Sequence, residues 1–196
     1  MMKLKDKYQK EVIPAMRERF GYKNPMAVPR IRKVVVNTGF GKLVTEKSID
    51  EQKKAADAIL EDLSMICGQR AVLTKARGSI SGFKVRKGSS IGAKVTLRGK
   101  RMDEFLERLI HVILPRSRDF QGLRSDSLDS QGNLTIGIEE HIFFPEISPE
   151  KTRHIFGLEI TIGTNAKTKE EGLRLLRLLG FPMRENPKEK IKNEKR

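Results

Sequence analysis

The sequence predicts an α+β fold, in which helices pack on one face of a mainly antiparallel sheet. Two patterns lead to this class. Four segments repeat apolar residues at helical spacing, and about five segments alternate apolar with polar residues, as strands buried on one face do. In chain order these elements read α-β-α-β-β-α-β-β-α, and the central β-α-β-β-α-β part resembles a split βαβ arrangement.

The first two elements are a helix and a strand. Residues 4–20 place apolar side chains along one helical face, and Pro14 is expected to end or kink this helix. Residues 31–38, IRKVVVNT, are rich in β-branched side chains and lie between Pro29 and Gly39, so they predict the first strand.

The second helix and the next two strands follow. A capping box of Ser48 and Glu51 begins this helix, because each residue can bind a free backbone amide of the first turn. Gly68 ends it. Strands are predicted at residues 71–75 and 91–98, and the second of them alternates cleanly.

The second half of the chain begins with a helix over residues 102–114, which Pro115 is expected to close. Strands are predicted at residues 133–138 and 158–162. Both alternate, with their apolar residues on one face.

The last helix begins at a second capping box, Thr168 and Glu171, and runs to Leu179. The 196 residues are therefore predicted to form one domain over residues 1–183. The remaining residues, 184–196, are a basic tail that is predicted to be disordered, because it has almost no apolar content.

The charge balance predicts a polyanionic partner. The chain has 40 basic and 25 acidic residues, which gives a net charge of +15. Its single cysteine, Cys67, excludes an internal disulfide and fits a reducing compartment. With no apolar run of about 18 residues and no secretion signal, the protein is expected to be soluble and cytosolic.

Acidic residues are missing from one long segment. Residues 63–102 contain ten Lys or Arg and no Asp or Glu. A run of charge is more often a solvated surface, but solvated surfaces usually mix both signs. The absence of acids over this length favours a surface that meets phosphates.

The uncovered face of the sheet is the expected binding surface. If the helices cover the apolar face, Lys94, Thr96 and Arg98 stand on the other side, where Lys33 and Asn37 of the first strand also lie. Binders of single-stranded RNA stack bases on aromatic side chains, and this face has almost none. Structured, helical RNA, bound through phosphates, 2′-hydroxyls and shape, is therefore favoured.

Several blocks of the chain resemble one family. Residues 71–102 read AVLTKARGSISGFKVRKGSSIGAKVTLRGKRM, residues 29–41 read PRIRKVVVNTGFG, and residues 132–147 read GNLTIGIEEHIFFPEI. These blocks, with LEITIGTNAKTKEEG from residue 158 onward, resemble in sequence and order the 5S rRNA-binding ribosomal proteins, large-subunit protein five.

The resemblance implies a structural protein of the large ribosomal subunit, with no enzymatic activity, no cofactor and no membrane. Such proteins lie in the central protuberance among neighbouring large-subunit proteins. They bind 5S rRNA and help attach it to 23S rRNA. The family's RNA contacts match Asn37, Gln69, Thr96 and Arg98. The alternation of the strands selects three of these independently, whereas Gln69 comes from the resemblance alone.

The resemblance also implies two further contacts. The family's equivalent of residues 79–87 reaches the elbow of the P-site tRNA, which implies roles for Ser79, Phe83, Lys84, Arg86 and Lys87. Phe83 would either cover an exposed base or tether the loop.

A bridge to small-subunit ribosomal protein thirteen matches residues 134–153. Within that segment, Phe143, Phe144 and Pro145 form either a hydrophobic contact patch or a buried anchor, and the anchor is favoured.

Two other classes of function are disfavoured. An RNA-modifying enzyme would need convergent acids, a nucleophile with a base, or a cofactor motif. Glu139, Glu140 and His141 are adjacent along a strand and would point to opposite faces. A membrane-surface protein would need a basic amphipathic helix with bulky aromatics, whereas the basic segment here is strand and loop.

Overall fold

The computed structural model describes residues 3–44, 48–117, 120–148, 150, 152 and 154–184. Its strands are β1 Ile31–Gly39, β2 Val72–Lys75, β3 Ser90–Leu97, β4 Leu134–Ile138 and β5 Leu158–Thr164. They form one antiparallel sheet in the order β2-β3-β1-β5-β4. The predicted α+β class is therefore confirmed, and each strand lies within two residues of its predicted ends.

The helices also follow the predicted order. Helix α1 is helical throughout Leu4–Lys7, Tyr8–Val12 and Ile13–Phe20. A short α2, Gly41–Val44, was not predicted, and α3 spans Ile49–Cys67. The later helices are α4, built from Gly99–Arg108, Leu109–Ile113 and Leu114–Arg116, and α5, Lys169–Leu179. The predicted tail, from residue 185 onward, lies outside the described residues.

The two helical prolines do not end their helices, so the expected closure at Pro115 was wrong; of the two alternatives for Pro14, only the ending is contradicted. Each proline lies two residues after a π-helical turn, Tyr8–Val12 in α1 and Leu109–Ile113 in α4. Proline lacks an amide hydrogen, and its ring clashes with the carbonyl four residues earlier. The wider π turn, with hydrogen bonds to the fifth residue back, accommodates the ring while the chain stays helical.

The described chain divides into two compact units. The first contains the chain up to Val34, Arg98–Ile136 and the part from Thr161. Within it, α1 packs against both α4 and α5. Its apolar core includes Val12, Met16, Phe105, Leu109, Leu175 and Leu176.

Two glycines of the first unit lie in very close contact. A Cβ on Gly172, in the first turn of α5, would lie 2.6 Å from the carbonyl oxygen of Gly132. Gly132 itself has a positive φ of 76°. Its turn is held by Asp129, whose carboxylate accepts from the Asn133 amide at 2.8 Å. Only glycine allows the helix and the turn to approach this closely.

The second unit contains Val35–Leu97 and Gly137–Ile160. Within it, α3 packs against β3 and buries Ala93, Val95 and Leu97. Strand β2 is at the edge of the sheet and pairs antiparallel with β3, with Val72 opposite Lys94. This pairing shifts register between Thr74 and Lys75.

A buried histidine joins three segments of the second unit. His141 is 0% exposed, and its ring stacks on that of Phe156 with centroids 3.9 Å apart. Its Nδ1 accepts a hydrogen bond from the Phe156 amide at 3.4 Å. In the neutral ring Nε2 therefore carries the proton, and this atom lies 3.7 Å from a carboxylate oxygen of Asp62 on α3.

The stability of the protein is expected to fall as the pH drops below about 6.5, the ordinary pKa of histidine. Burial lowers the pKa of His141, although the Asp62 carboxylate opposes this shift. As the pH falls, the unfolded chain therefore binds this proton first and is favoured. Burial raises the pKa of Asp62, so at lower pH the folded chain binds a proton there before the unfolded chain does. This effect favours folding, and the loss of stability should therefore become less steep at lower pH.

Urea unfolding of wild type and His141→Gln at about pH 7.5 and about pH 5.5 tests this dependence. The His141→Gln variant should lose less stability between the two values than wild type does. His111→Gln is the matched control, because His111 is exposed on α4 and its replacement should leave the difference unchanged. Equal losses in wild type and His141→Gln would contradict the assignment to His141.

Candidate nucleic-acid interface

The open side of β3 carries the side chains that the alternation predicted. Lys94 is exposed and Thr96 is half-buried, whereas their neighbours along the strand are buried. Arg98 follows the strand with an extended backbone, at φ −144° and ψ 160°, and its side chain is exposed. An ammonium group, a hydroxyl and a guanidinium are therefore at least partly accessible to a ligand.

Gln69, which the alternation did not reveal, lies beside Thr96. Its side-chain amide donates to the backbone carbonyl of Thr96 at 3.2 Å. Strands β2 and β3 are antiparallel, and their pairing begins with Val72 opposite Lys94. Thr96 comes two residues after Lys94, so its carbonyl lies beyond the end of β2. Gln69 supplies a donor at that place. The residue is half-buried.

Asn37 is held in place by an acid that the sequence analysis missed. Its Nδ2 donates to Oε2 of Glu159 on β5 at 3.4 Å. The same alternation that buries Leu158 and Ile160 puts Glu159 on the open side, so the pattern could have revealed it. A carboxylate repels phosphates, but here it orients the Asn37 amide and leaves the amide oxygen facing away from it.

Arg98 and Lys33 both lie in the first unit. Arg98 donates to the backbone carbonyl of Arg32 at 3.5 Å, which holds the guanidinium beside β1. Lys33 is exposed, and its aliphatic stem crosses Gly163 of β5. A Cβ added to Gly163 would lie only 3.1 Å from the Cγ of Lys33. The missing side chain at Gly163 thus gives the Lys33 stem a place to lie, while its ammonium group can reach solvent.

Hydroxyl groups accompany these cations. Thr135 of β4 and Thr161 of β5 lie opposite each other, with their oxygens 3.4 Å apart. Thr135 is exposed and Thr161 is half-buried. Hydroxyls both donate and accept, so they suit the 2′-hydroxyls that RNA displays in its wide minor groove.

The segment from Ala76 to Ser89, here called the basic loop, extends the β2–β3 hairpin. Ile80 and Val85 exchange two backbone hydrogen bonds, at 3.0 and 3.2 Å. The Ser79 hydroxyl accepts from the Lys87 amide at 2.9 Å. These contacts give the loop an internal structure of its own.

The side chains of the basic loop face outward. Lys84, Arg86 and Lys87 are exposed, and Phe83 is 70% exposed. This exposure disfavours Phe83 as a tether packed into the core and favours its alternative role, the covering of a base. Ser79 is exposed as well, but its hydroxyl is already used within the loop.

The residues Phe143, Phe144 and Pro145 do not act alike. Phe144 is 1% exposed and is a buried anchor. Phe143 is half-buried and Pro145 is exposed. Phe144 therefore fits the buried anchor, whereas Phe143 and Pro145 remain available for a contact patch. The neighbouring residues differ because the chain turns after the short 3₁₀ helix His141–Phe143.

The part of the chain that the structure describes shows neither a metal site nor a helix that could span a membrane. No three His, Cys, Asp or Glu side chains gather there as a metal site would require. None of the described helices combines the length and the apolar character needed to cross a bilayer.

Comparison with known proteins gives consistent matches. Residues 24–86 match the family model described as ribosomal protein L5, and residues 90–183 match the model of the C-terminus of the same ribosomal family. The chain is 50% identical over 182 residues to large ribosomal subunit protein uL5 of Carboxydothermus hydrogenoformans, covering 93% of this chain and 98% of that one. It is 52% identical over 186 residues to uL5 of Rubrobacter xylanophilus, covering 95% and 100%.

Proposed function

This chain belongs to the ribosomal protein L5 family, and from that premise we propose that it binds 5S rRNA and helps attach it to 23S rRNA in the central protuberance. The family consists of structural proteins of the large ribosomal subunit in the cytoplasm and is not enzymatic. The chain is accordingly a structural constituent of that subunit. Its RNA targets are the part that we propose.

The observation that carries the proposal is the open side of β3 with the residue that follows it. Lys94 and Arg98 are exposed cations, and Thr96 between them offers a hydroxyl. Gln69 and Asn37 add amides that are held in fixed orientations by Thr96 and Glu159. Such a set of cations and small polar groups, without an aromatic platform among these five residues, suits the backbone and minor groove of an RNA helix.

We propose that the basic loop contacts the elbow of the P-site tRNA. The support is its exposed charge, from Lys84, Arg86 and Lys87, together with the exposed ring of Phe83. The internal hydrogen bonds of the loop would present these groups without a large ordering cost.

We propose that the segment around Pro145 bridges to small-subunit ribosomal protein thirteen. Phe144 anchors the segment in the core of the second unit, so that Phe143 and Pro145 remain at the surface. We also propose that residues 1–183 act as a single RNA-binding domain.

The first experiment identifies the RNA. The tagged protein is purified from cells at moderate ionic strength, and the RNA that comes with it is sized. A single species of the length of 5S rRNA is the expected result. Co-purification of no RNA, or only of mixed fragments, would contradict the proposal.

Replacing Arg98 by alanine is expected to weaken 5S rRNA binding about 10-fold to 100-fold, because a hydrogen bond from a charged group contributes about 1.5–3 kcal/mol. Lys100→Ala is the matched control. It removes the same charge from a side chain that is 90% exposed and pairs with Glu104 on α4. Dissociation constants are measured at one salt concentration, with thermal unfolding as a check on folding.

A loss with Lys100→Ala as large as that with Arg98→Ala would show that only net charge matters. That result would remove the specific role of Arg98.

A further inference from the structure

A large cavity lies in the second unit, between the basic loop and the turn that follows β1. Its volume is about 970 Å³, which is at the upper end of the range for small-ligand pockets, roughly 300–1,000 Å³. Gly39, Gly41 and Lys42 line one side, and residues from Ala76 to Val85 line the other.

The apolar part of the cavity is suited to a flat ring. Phe40, which is 1% exposed, and Ile91 belong to its lining. Phe83 and Ile80 from the basic loop also line it, and they are 70% and 53% exposed. Large apolar side chains that remain this exposed in a charged loop indicate a surface that a ligand covers.

The charged part of the lining is of one sign. Lys42, Arg77 and Lys84 contribute to it, and no Asp or Glu among the residues that the structure describes does. Lys84 has a left-handed backbone, at φ 51° and ψ 29°, and among the described residues no other non-glycine residue has a positive φ. Backbone strain of this kind concentrates at ligand sites, where the surroundings hold it in place.

The cavity is formed before any ligand arrives. The Gly88 amide donates to the Ala76 carbonyl at 3.0 Å, and the Ala76 amide donates to the Ser89 carbonyl at 2.9 Å, so the base of the loop is closed. With the bonds between Ile80 and Val85, these contacts hold both ends of the loop. A ligand that enters would therefore lose little affinity to the ordering of the loop.

We propose that this cavity binds a single unstacked nucleotide of an RNA. The base lies against Phe83 and the apolar lining, and the phosphates on either side meet Lys42, Arg77 and Lys84. The inference rests on the proposed function, because it requires an RNA partner, and it deepens the contact proposed for the basic loop, to which Phe83 and Lys84 belong. The strands would meet a helix, whereas the cavity would take a base that has left its helix.

The test uses two RNA hairpins as probes, with identical stems except that one carries a single-nucleotide bulge. Wild type is expected to bind the bulged hairpin about tenfold more tightly than the fully paired one, as expected for one stacked base. Gly82→Leu should abolish this ratio and leave binding of the paired hairpin unchanged. Gly82 lines the cavity and a Cβ there meets nothing within 4 Å, so the substitution adds bulk at the lining without a steric clash.

Four further variants complete the test. Gly78→Leu, at a glycine that also lines the cavity and has free space for a Cβ, should act as Gly82→Leu does. Phe83→Tyr should keep the ratio, and Phe83→Leu should reduce it, because tyrosine keeps a ring that can stack on a base and leucine does not. Gly137→Leu adds the same bulk at a glycine that does not line the cavity, and should keep the ratio.

The outcomes separate the two proposals. Equal binding of both hairpins by wild type, with 5S rRNA still bound, would overturn the cavity proposal and leave the proposed function intact. A bulge preference that survives Gly82→Leu and Gly78→Leu would overturn it as well. Failure to bind 5S rRNA would contradict the proposed function itself.

Discussion

Raising the salt concentration from 50 to 200 mM is expected to weaken 5S rRNA binding by about 10³–10⁵-fold, which is the range for 6–10 phosphate contacts. The physical reason is the release of counterions from the RNA by bound cations. The protein has a net charge of +15, and exposed cations such as Lys33, Lys94 and Arg98 stand on open sides of its strands. Titration of labelled 5S rRNA at several salt concentrations gives the slope directly.

A single-charge variant sharpens this test. Lys94→Gln should lower the slope of log affinity against log salt by about one, if Lys94 neutralises one phosphate. Lys100→Gln, on α4, should change the slope less. An affinity that hardly responds to salt would be incompatible with binding through the RNA backbone.

Replacing Gly172 by alanine is expected to destabilise the protein by about 2 kcal/mol, which corresponds to a melting temperature lower by about 4–8 °C. The sign of this change in the free energy of unfolding is diagnostic, because alanine in place of glycine usually stabilises a helix by about 1 kcal/mol. Here the new Cβ would lie 2.6 Å from the Gly132 carbonyl oxygen, so the turn and α5 must separate.

Gly137→Ala is the control for this prediction. Gly137 lies in β4, has no positive φ, and a Cβ there meets nothing within 4 Å. Its replacement should leave the free energy of unfolding unchanged or raise it by up to about 1 kcal/mol, because glycine weakens a strand relative to alanine. If Gly172→Ala melted at or above the temperature of wild type, the close contact would not constrain the fold.

The alternation of β3 was predictable because it is enforced by burial. Ala93, Val95 and Leu97 cannot leave the core without exposing apolar surface, so Lys94 and Thr96 must face outward. The same reasoning applied to β5 would have revealed Glu159. These features depend on the local sequence alone.

Other features depend on contacts between distant residues. Gln69 belongs to the candidate interface because it reaches the Thr96 carbonyl, 27 positions along the chain. The cavity exists because the turn at Gly39–Lys42 lies opposite the basic loop, and the close contact of Gly172 with Gly132 joins separate elements. Pro115 misled the prediction because a π turn is a geometry that apolar periodicity does not encode.

The length and the pairing of β2 affect how the free protein behaves before it binds an RNA. This edge strand has only four residues and loses its register at Lys75, so it offers a poor template for a strand of another copy. Free molecules also repel each other through their excess positive charge. A newly synthesised chain should therefore be less prone to pair with another copy through the β2 edge before it is incorporated into a particle.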